Sequence, residues 1–484
     1  MDTFAWPLAD AFRGREDALA RLEDWWQGDE RMPIALYGRR RVGKSWLFRR
    51  FAHGKPAVVL VAEQLAPGAQ LDRFARRLEP TLGFRPDIPD VPELFRLLFR
   101  IAGPRRLLVV VDEFGWLIPT SSAKARRLLS ALQAVMEEER DASGLKLVLC
   151  GSTVSQMESL FSERSPLHGR LVRHELAPLA YEDAAGAFLA GLDPVDRFER
   201  YAVAGGMPRY LDLLATGSLR ATVSRQILDR NAPLWNEGRL VVEQELRQPR
   251  VHFSLLEQLA TGGKTHNELA QALHVEGSAT SAYLAALTEL RLVRRILPVG
   301  ASATSRSGQW RLDDPFFRFW FRFVFPYQTE LESGLRPDDL FTAEVAPAIA
   351  HHVAPEFEAW ARSWVRAQRG AVATRVGAWW GPALHALRRS GARSSEEVDV
   401  VGMARGRVTV VGEARWTNRR LGTEILHDVE AYKLPAMRQA GLRLAADPEI
   451  VLFSRSGYAA DLRRAAGDGH RRLTLVDVPA ALGR

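Results

Sequence analysis

The feature that most constrains this chain is a glycine-bounded loop between a strand-like run and a helix-like run near its start. The loop reads "GRRRVGKS" at residues 38–45, after the apolar run "MPIALY" and before "SWLFRRFA", in which Trp46, Leu47 and Phe51 recur at helical spacing. This order matches G-x-x-x-x-G-K-[ST], in which backbone N–H groups at a helix N-terminus surround phosphate oxygens. The loop therefore predicts a nucleotide-phosphate site on a strand–loop–helix unit.

The positions of this loop have separate expected roles. Gly38 and Gly43 supply backbone freedom, and Lys44 reaches the outer phosphates. Ser45 offers its hydroxyl to Mg²⁺, so ATP and Mg²⁺ are the expected cofactors. The three arginines occupy variable positions, where the main chain contacts phosphate and the side chains face outward. The residues expected to contact the nucleotide here are Gly38, Arg39, Arg40, Arg41, Val42, Gly43, Lys44, Ser45 and Trp46.

Two later strand-like runs end in polar side chains. "RRLLVVVDEFGWL" has a buried-strand pattern over 107–111 and ends in Asp112 and Glu113. A carboxylate at the C-terminal end of a parallel strand lies beside a bound nucleotide. We expect Asp112 to hold Mg²⁺, directly or through water, and Glu113 to polarise the attacking water. The run "LKLVLCGST" ends in Ser152 and Thr153, which are expected near the γ-phosphate or that water.

Strands alternate with helical segments through this part of the chain. Helical patterns at residues 68–80 and 93–102 separate the loop from the acidic strand. Such alternation favours a parallel α/β sheet. At 484 residues the chain exceeds one ordinary core, so a multidomain α/β protein of two to four domains is expected.

The composition says more about the compartment and the possible partners of the protein than about any reaction it catalyses. The formal charge of +8 permits a polyanionic partner without requiring one. The single cysteine, Cys150, excludes an intrachain disulfide and fits a reducing compartment. The start of the chain lacks a signal-peptide pattern and no apolar run has membrane-spanning length, so a cytoplasmic protein without membrane contact is expected. His351 and His352 lack partners at zinc-site spacing.

Together with further motifs, this arrangement resembles a known family. The motifs are "FRGREDALARLEDWW", "YGRRRVGKS", "VVVDEF", "GSTVSQMESL", "SPLHGR", "AGGMPRYLDLL" and "DDPFFRFWFRFV". They look like the archaeal-type ATPases of the STAND/AAA+ class, and the resemblance covers nearly the whole chain. It implies a P-loop ATPase core at 1–176, a helical lid at 177–245, a winged-helix domain at 246–330 and a nuclease-like domain at 340–484.

The same resemblance implies further nucleotide contacts. Pro208 in the turn "GGMPRY" is placed close to the base or ribose, and Arg209 is a candidate phosphate sensor. Arg170 in "LHGR" is a candidate for the arginine that stabilises transition-state charge, with a surface salt bridge as the alternative. Whether such an arginine acts in its own chain or on a neighbouring one stays open. The box expected near the adenine comprises Phe12, Gly14, Arg15 and Glu16.

The middle of the chain has the pattern of three helices and a β-wing. "THNELAQAL" begins with a Thr265–Glu268 capping box, and two short strand-like runs, "RRIL" and "QWRL", flank a Gly/Ser-rich tip. The third helix would enter a DNA groove and Arg306 would touch phosphate. That helix is poor in base-reading side chains, so DNA binding and an interdomain spacer both remain open. The aromatic run "RLDDPFFRFWFRFVFPY" favours core packing over stacking on nucleic-acid bases.

The C-terminal part carries a pattern typical of metal-dependent nucleases. A predicted hairpin brings Asp399 and Glu413 together, with Glu358 on a preceding helix. The pattern is similar to that of PD-(D/E)XK nucleases, but Arg415 stands at the lysine position and cannot act as a general base. Lys433 could replace that lysine spatially, although a solvated helix lysine is favoured. An active variant nuclease, a metal- or DNA-binding remnant and a structural domain remain open.

These expectations combine into one functional hypothesis. The chain would bind and hydrolyse ATP, and its nucleotide state would control a winged-helix and nuclease-like half that acts on DNA. The alternative is a nucleotide-gated DNA-binding or scaffold protein whose nuclease-like domain is inactive. A homo-oligomer or a protein partner is compatible with either hypothesis.

Overall fold

We describe the protein from a computed structural model, which covers residues 3–246, 248–389, 392–468 and 472–483. The chain divides into two units. Unit 1 comprises Met1–Phe188 and Gly206–Arg209, and unit 2 comprises Leu189–Gly205 and Tyr210–Arg484. The chain therefore crosses three times between the units within the predicted lid region, and the division into four domains remains a prediction.

Unit 1 contains a parallel sheet of five strands. The strands are β1 (Ile34–Tyr37), β2 (Ala57–Val61), β3 (Leu107–Asp112), β4 (Leu145–Gly151) and β5 (Val172–Glu175). Their order is β2-β3-β4-β1-β5, and every pairing is parallel. All residues of β1, β3 and β4 are buried, as expected for strands covered on both faces. The predicted parallel α/β core is confirmed.

Helices connect these strands. They are α1 (Glu16–Gln27), α2 (Lys44–Ala52), α3 (Pro67–Leu82), α4 (Val91–Ala102), α5 (Ser122–Glu139), α6 (Val154–Ser159) and α7 (Tyr181–Phe188). The predicted helices at 68–80 and 93–102 correspond to α3 and α4. The start of α4 is set by Asp90, whose carboxylate accepts the backbone N–H of Glu93 at 2.8 Å.

Unit 2 begins with helices and a short hairpin. Its first helices are α8 (Pro194–Ala204), α9 (Pro208–Leu214, which starts in unit 1), α10 (Leu219–Val223), α11 (Glu237–Glu245), α12 (Pro249–Ala260), α13 (His266–Leu273) and α14 (Gly277–Glu289). The strands β6 (Val293–Ile296) and β7 (Gln309–Leu312) pair antiparallel. The capping box at Thr265 and Glu268 is present at the start of α13. Three helices and a hairpin thus occur in the predicted order.

The helices that follow include the aromatic segment. They are α15 (Pro315–Phe323), α16 (Gln328–Glu332), α17 (Pro337–Leu340) and α18 (Ala346–Arg369). The side chains of α15 are buried, including Trp320, which donates its indole N–H to the carbonyl of Trp235 at 2.8 Å. The interpretation of this segment as core is therefore confirmed. Burial of so many rings removes them as a platform for nucleic-acid bases.

A mixed sheet of five strands forms the rest of unit 2. The strands are β8 (Arg375–Pro382), β9 (Ser395–Ala404), β10 (Arg407–Arg415), β11 (Leu444–Ser454) and β12 (Leu473–Asp477). Their order is β12-β11-β10-β9-β8, with β10, β11 and β12 parallel and β8–β9–β10 antiparallel. The β9–β10 hairpin turns at Arg405 and Gly406, which both have positive φ, as a tight two-residue turn requires. The predicted hairpin is confirmed.

Short helices flank this sheet. They are α19 (His385–Arg389), α20 (Thr423–Asp428), α21 (Leu434–Gln439), α22 (Ala460–Gly467) and α23 (Val478–Leu482). A π-helical turn, Val429–Lys433, joins α20 to α21. Within the described residues, no helix combines the length and the apolar character needed to cross a membrane.

The tip of the β6–β7 hairpin lies against the edge of the C-terminal sheet. The backbone N–H of Val299 donates to the carbonyl of Ala378 at 2.8 Å, and the Trp380 indole donates to the carbonyl of Ser307 at 2.9 Å. These bonds cover part of β8, which is the edge strand of that sheet. Arg306 remains exposed at the tip. The contacts favour the spacer alternative for this hairpin over a wing that reaches freely toward DNA.

Candidate functional site

The loop between β1 and α2 has a backbone that depends on its two glycines. A Cβ at Gly38 would overlap the carbonyl oxygen of Leu176, so a side chain there would displace the loop. Gly43 has φ 101°, in the left-handed region, and α2 begins at the next residue. No side-chain hydrogen bond caps the start of that helix, so its first backbone N–H groups, which point toward the loop, are left for an anion.

The loop arginines and Trp46 lie around this helix start. Arg40 and Arg41 are exposed, and Arg39 is half-buried. Trp46 is 44% exposed, and its ring meets Trp6 edge-on at a centroid distance of 5.0 Å. The exposed Trp46 ring therefore forms an aromatic surface next to Ser45, the proposed Mg²⁺ ligand that precedes it in the chain.

Lys44 is buried within the loop. Its ammonium donates to the carbonyls of Gly38 at 2.7 Å and Arg39 at 3.0 Å, so the side chain folds across the loop. Burial lowers the pKa of Lys44, while Glu113 and Asp112 nearby oppose that shift. A buried cation held by carbonyl oxygens is poised to exchange those partners for phosphate oxygens.

Ser45 and Asp112 come together as the sequence predicted. The Ser45 hydroxyl donates to Oδ2 of Asp112 at 3.5 Å, which joins the start of α2 to the end of β3. Burial raises the pKa of Asp112, and the negative charge of Glu113 adds to this effect. Burial also raises the pKa of the Cys150 thiol on the adjacent strand. A divalent cation beside Asp112 would lower the pKa of its carboxyl and favour the ionised form.

Glu113 follows Asp112 with an unusual backbone. Its φ of 52° lies in the left-handed region, which non-glycine residues rarely adopt. The Ser152 hydroxyl donates to Oε2 of Glu113 at 2.7 Å, and the Ser152 backbone N–H donates to the same oxygen at 3.3 Å. Ser152 therefore orients the carboxylate that was predicted to act on water. Thr153 is half-buried beside it.

The segment before α1 contacts the loop from another side. Arg15 donates from Nη2 to the carbonyl of Val42 at 3.1 Å, and burial lowers the pKa of Arg15 to about 10. Gly14 has φ 64°, and a Cβ there would press on Ala187 and Phe188. Phe12 is half-buried, and the Glu16 carboxylate accepts the backbone N–H of Gly14 at 2.9 Å. Thus the box predicted near the adenine lies beside the loop.

The turn at Gly206–Arg209 belongs to the same unit. Pro208 lies against the loop, with its Cγ 3.6 Å from the position of a Cβ on Gly43. A Cβ on Gly206 would overlap the Leu179 backbone, and the Gly206 carbonyl accepts the Leu179 N–H at 2.8 Å. Arg209 is exposed. Pro208 therefore lies beside the loop, and the nucleotide contacts of both Pro208 and Arg209 remain predictions.

Arg170 has a partner on the surface. Its Nε donates to Oε1 of Glu137 on α5 at 2.8 Å, and its Nη2 donates to the same carboxylate. The pair corresponds to the surface salt bridge that was the alternative interpretation. Arg170 precedes β5 and stays a proposed transition-state residue.

The C-terminal carboxylates also come together, but with cations between them. Arg415 donates from Nη1 to Oδ2 of Asp399 at 2.6 Å and from Nη2 to Oε2 of Glu413. Glu358 on α18 pairs with Arg362 at 3.7 Å, and Arg362 also donates to the Asp399 carbonyl at 2.8 Å. A guanidinium therefore bridges the two residues that were predicted to share Mg²⁺.

The position of Lys433 contradicts the interpretation that the sequence favoured for it. It was expected to be a solvated helix lysine, but it is 5% exposed in the π-helical turn. Its ammonium donates to Oε1 of Glu413 at 2.6 Å and lies 3.6 Å from Oδ2 of Asp428. The turn directs the side chain into the sheet, and burial of Glu413 demands a cation there. Arg362 was not identified from the sequence, although its helix had been placed.

Burial dominates the electrostatics of this cluster. It raises the pKa of Glu413 to about 7 and that of Glu358 to about 8, and the charge of Asp399 adds to both shifts. Three carboxylates face three cations: the acids are Glu358, Asp399 and Glu413, and the cations are Arg362, Arg415 and Lys433. Across the described ranges, no set of three or more His, Cys, Asp or Glu residues could hold a metal ion.

The two candidate metal sites differ in their fit. Mg²⁺ in nucleotide sites takes one or two protein oxygens and completes its shell with phosphates and water. Ser45 and Asp112 fit that donor set, because their oxygens approach each other beside a cradle that excludes a side chain at Gly38. The oxygens of Asp399 and Glu413 already accept bonds from Arg415, so they fit a metal poorly in this arrangement.

Similarity to known proteins extends over much of the chain. Residues 320–431 match the DUF234 family, described as archaea bacterial proteins of unknown function. An uncharacterized protein of Methanocaldococcus jannaschii is 26% identical over 326 residues, which cover 67% of this chain and 71% of that protein.

Two solved structures are among those similar to this chain. A Walker-type ATPase of Pyrococcus abyssi has 17% identity and a TM-score of 0.47, over 65% of this chain and 97% of that one. The ORC2 protein of Aeropyrum pernix, in ADPNP–ADP complexes, has 16% identity and a TM-score of 0.43, over 70% of this chain and 98% of that one. Because the identities and TM-scores are this low, the functional site is assigned from the geometry of its own residues.

Proposed function

We propose that the protein binds and hydrolyses ATP and that its nucleotide state acts as a switch. One observation carries this proposal. The loop cradle, the Ser45–Asp112 pair and the Ser152–Glu113 pair all lie at the carboxyl ends of β1, β3 and β4. That edge of a parallel sheet is where phosphate ligands bind.

Each side chain has a role in the proposed reaction. The N–H groups at the start of α2 and the Lys44 ammonium bind the phosphates and neutralise their charge. Ser45 and Asp112 would hold Mg²⁺, which supplies further charge neutralisation when bound. The Glu113 carboxylate, oriented by Ser152, accepts a proton from water as the water oxygen attacks the γ-phosphorus and the bond from that phosphorus to the bridging oxygen breaks, which releases ADP and phosphate. Arg15 and Pro208 close the loop on the side expected for the base.

Removal of the buried ammonium tests this proposal. Lys44→Ala is expected to weaken ATP binding by about 10- to 100-fold, because a charge-assisted hydrogen bond contributes about 1.5–3 kcal/mol. Equilibrium titration of a fluorescent ATP analogue with Mg²⁺ measures the change. Lys124→Ala, on the exposed face of α5, is the matched control and should bind as the unmodified protein does. Equal affinity in the Lys44 variant would contradict the proposed phosphate site.

For the C-terminal half we favour the catalytically inactive alternative. Arg415 and Lys433 donate to the carboxylate oxygens that a nuclease would offer to its metal. A guanidinium keeps its charge and cannot serve as a general base. We therefore propose that Asp399 and Glu413 hold this domain together and that Mg²⁺ enters between them only when Arg415 leaves. DNA remains the proposed partner, because the exposed arginines near this cluster suit phosphate contacts.

A cleavage assay separates this alternative from the active nuclease. The unmodified protein is expected to leave supercoiled and linear DNA intact with Mg²⁺ or Mn²⁺, with and without ATP. The same preparation should bind a fluorescent ATP analogue, which establishes that the protein is folded. Metal-dependent cleavage that disappears in Asp399→Asn and persists in Asp447→Asn, at an exposed position of β11, would refute the inactive assignment.

A further inference from the structure

Helix α8 lies across the carboxyl edge of the C-terminal sheet. The parallel strands β10, β11 and β12 end at this edge. Phe198 on α8 packs on Trp416, the residue after β10, at a ring distance of 5.0 Å. Pro194 at the start of α8 reaches the segment after β12, with its Cγ 3.9 Å from a Cβ position on Gly483. Ligands of open α/β sheets bind at this edge, so α8 covers a preferred ligand position.

The polar contact between α8 and this edge is made by Glu199. Its Oε1 accepts the Trp416 indole N–H at 3.3 Å and faces Nη2 of Arg455, the residue after β11, at 3.4 Å. Glu199 is 8% exposed. Both distances are long for hydrogen bonds to a charged group, and both converge on one oxygen. These two contacts therefore compensate only weakly for the desolvation of the buried Glu199 carboxylate.

Without α8, which places both Glu199 and Phe198 on it, the edge would present a cationic and aromatic surface. Arg455 lies over the Trp416 ring at 5.2 Å, and its Nη1 donates to Oδ1 of Asn418 at 2.7 Å. Its backbone N–H donates to the Arg415 carbonyl at 3.2 Å, which holds the ends of β10 and β11 together. Arg419 and Arg420 on the same loop are exposed. Guanidinium groups beside an indole suit a phosphodiester, whose oxygens accept charge-assisted bonds.

The cost of burying Glu199 indicates how this contact can open. Burial raises the pKa of Glu199, because desolvation of the carboxylate outweighs the attraction of Arg455. A phosphodiester at the same position would carry its charge at every physiological pH and would offer two oxygens to the arginines. Replacing the Glu199 carboxylate by a phosphodiester therefore breaks only two weak contacts and removes a charge from a buried position.

The chain connects α8 directly to the Gly206–Arg209 turn, which lies beside the nucleotide loop. The helix ends at Ala204 and is followed by Gly205, which has φ 63°; the next four residues belong to unit 1. Among them, Gly206 is fixed against Leu179 and Pro208 lies against Gly43. A shift of Pro208 when the loop binds nucleotide would reach α8 through the three residues between them, 205–207.

We propose that Glu199 is an internal competitor for a phosphodiester-binding site at the ends of β10 and β11, and that nucleotide at the loop controls its withdrawal. Arg455 and Trp416 are the residues it covers. The nucleotide control depends on the proposed function, whereas the phosphodiester site does not.

A polarisation titration with labelled duplex DNA tests the site in the full chain. Glu199→Gln removes the competing charge and should tighten DNA binding by about fivefold, the change that corresponds to an ion pair of about 1 kcal/mol. Adding Arg455→Gln should reverse the gain, and Glu199→Asp should give an intermediate affinity because its carboxylate is shorter. Glu243→Gln, on the exposed side of α11, is the matched control. A duplex RNA of the same sequence identifies which nucleic acid supplies the phosphodiester.

The nucleotide dependence gives the second measurement. In the unmodified protein, DNA affinity should differ between ADP and a non-hydrolysable ATP analogue, and the difference should vanish in Glu199→Gln. Affinities within twofold for Glu199→Gln and the unmodified protein, on DNA and RNA alike, would overturn the competitor role. A fluorescent ATP analogue is titrated in parallel. If ATP binds but does not alter DNA affinity, the coupling is refuted and the ATP site stands; if ATP does not bind, the proposed function itself fails.

Discussion

Glu113→Gln is expected to lower ATP turnover by about 10²–10⁴-fold, the range associated with loss of a general base, while ATP affinity stays within about twofold. The amide oxygen of glutamine can still accept the Ser152 hydroxyl, so the geometry recorded at 2.7 Å is preserved. What disappears is the capacity to accept a proton from water. Asp112 and Ser45 remain in place to hold Mg²⁺.

Phosphate release at saturating ATP measures this effect, and the fluorescent ATP titration supplies the affinity. Glu79→Gln is the matched control, because that side chain is exposed on α3. It should hydrolyse ATP at the unmodified rate. Equal turnover by Glu113→Gln and the unmodified protein would remove Glu113 from its catalytic role, and loss of ATP binding would make its role structural.

The sequence was most informative where local pattern determines structure. The loop at 38–45 lies between a buried strand and a helix because its glycines and the apolar runs beside it leave few other arrangements. The β9–β10 hairpin followed from two strand-like runs joined by a short glycine-containing turn, which the structure places at Arg405 and Gly406. The aromatic segment 315–323 was correctly interpreted as core, since a helix with aromatic rings at six of its nine positions must bury most of them.

Contacts between segments that are distant along the chain could not be predicted from the sequence. Lys433 sits in a short helical segment whose pattern gives no sign that a π-helical turn directs its ammonium to Glu413, twenty positions earlier in the chain. The packing of α8 on Trp416 joins residues 217 positions apart. Neither contact can be predicted from local sequence, because each depends on how helices and strands pack against one another once they have formed. The low number of lysines, six in the whole chain, was the one hint that Lys433 has a specific role.

Lys433→Met is expected to lower the free energy of unfolding of unit 2 by about 3–5 kcal/mol, the cost of leaving a buried charge without its partner. The substitution keeps the length of the side chain and removes the ammonium that donates to Glu413 at 2.6 Å. Glu413 is fully buried, and burial already raises its pKa to about 7. Without Lys433 its charge depends on Arg415, which also serves Asp399. Urea unfolding followed by circular dichroism measures the change.

The double variant Glu413→Gln/Lys433→Met distinguishes an unpaired charge from lost packing. If the cost is electrostatic, replacing the carboxylate by a neutral amide of the same shape should recover most of the stability, because no ion is then left buried. If the cost comes from packing, the double variant should be no more stable than Lys433→Met. Lys264→Met, at a half-buried position of the same unit, controls for the loss of a lysine and should change the stability by less than about 0.5 kcal/mol. Equal stability of Lys433→Met and the unmodified protein would contradict a structural role for the cation cluster and would return Lys433 to the candidates for chemistry.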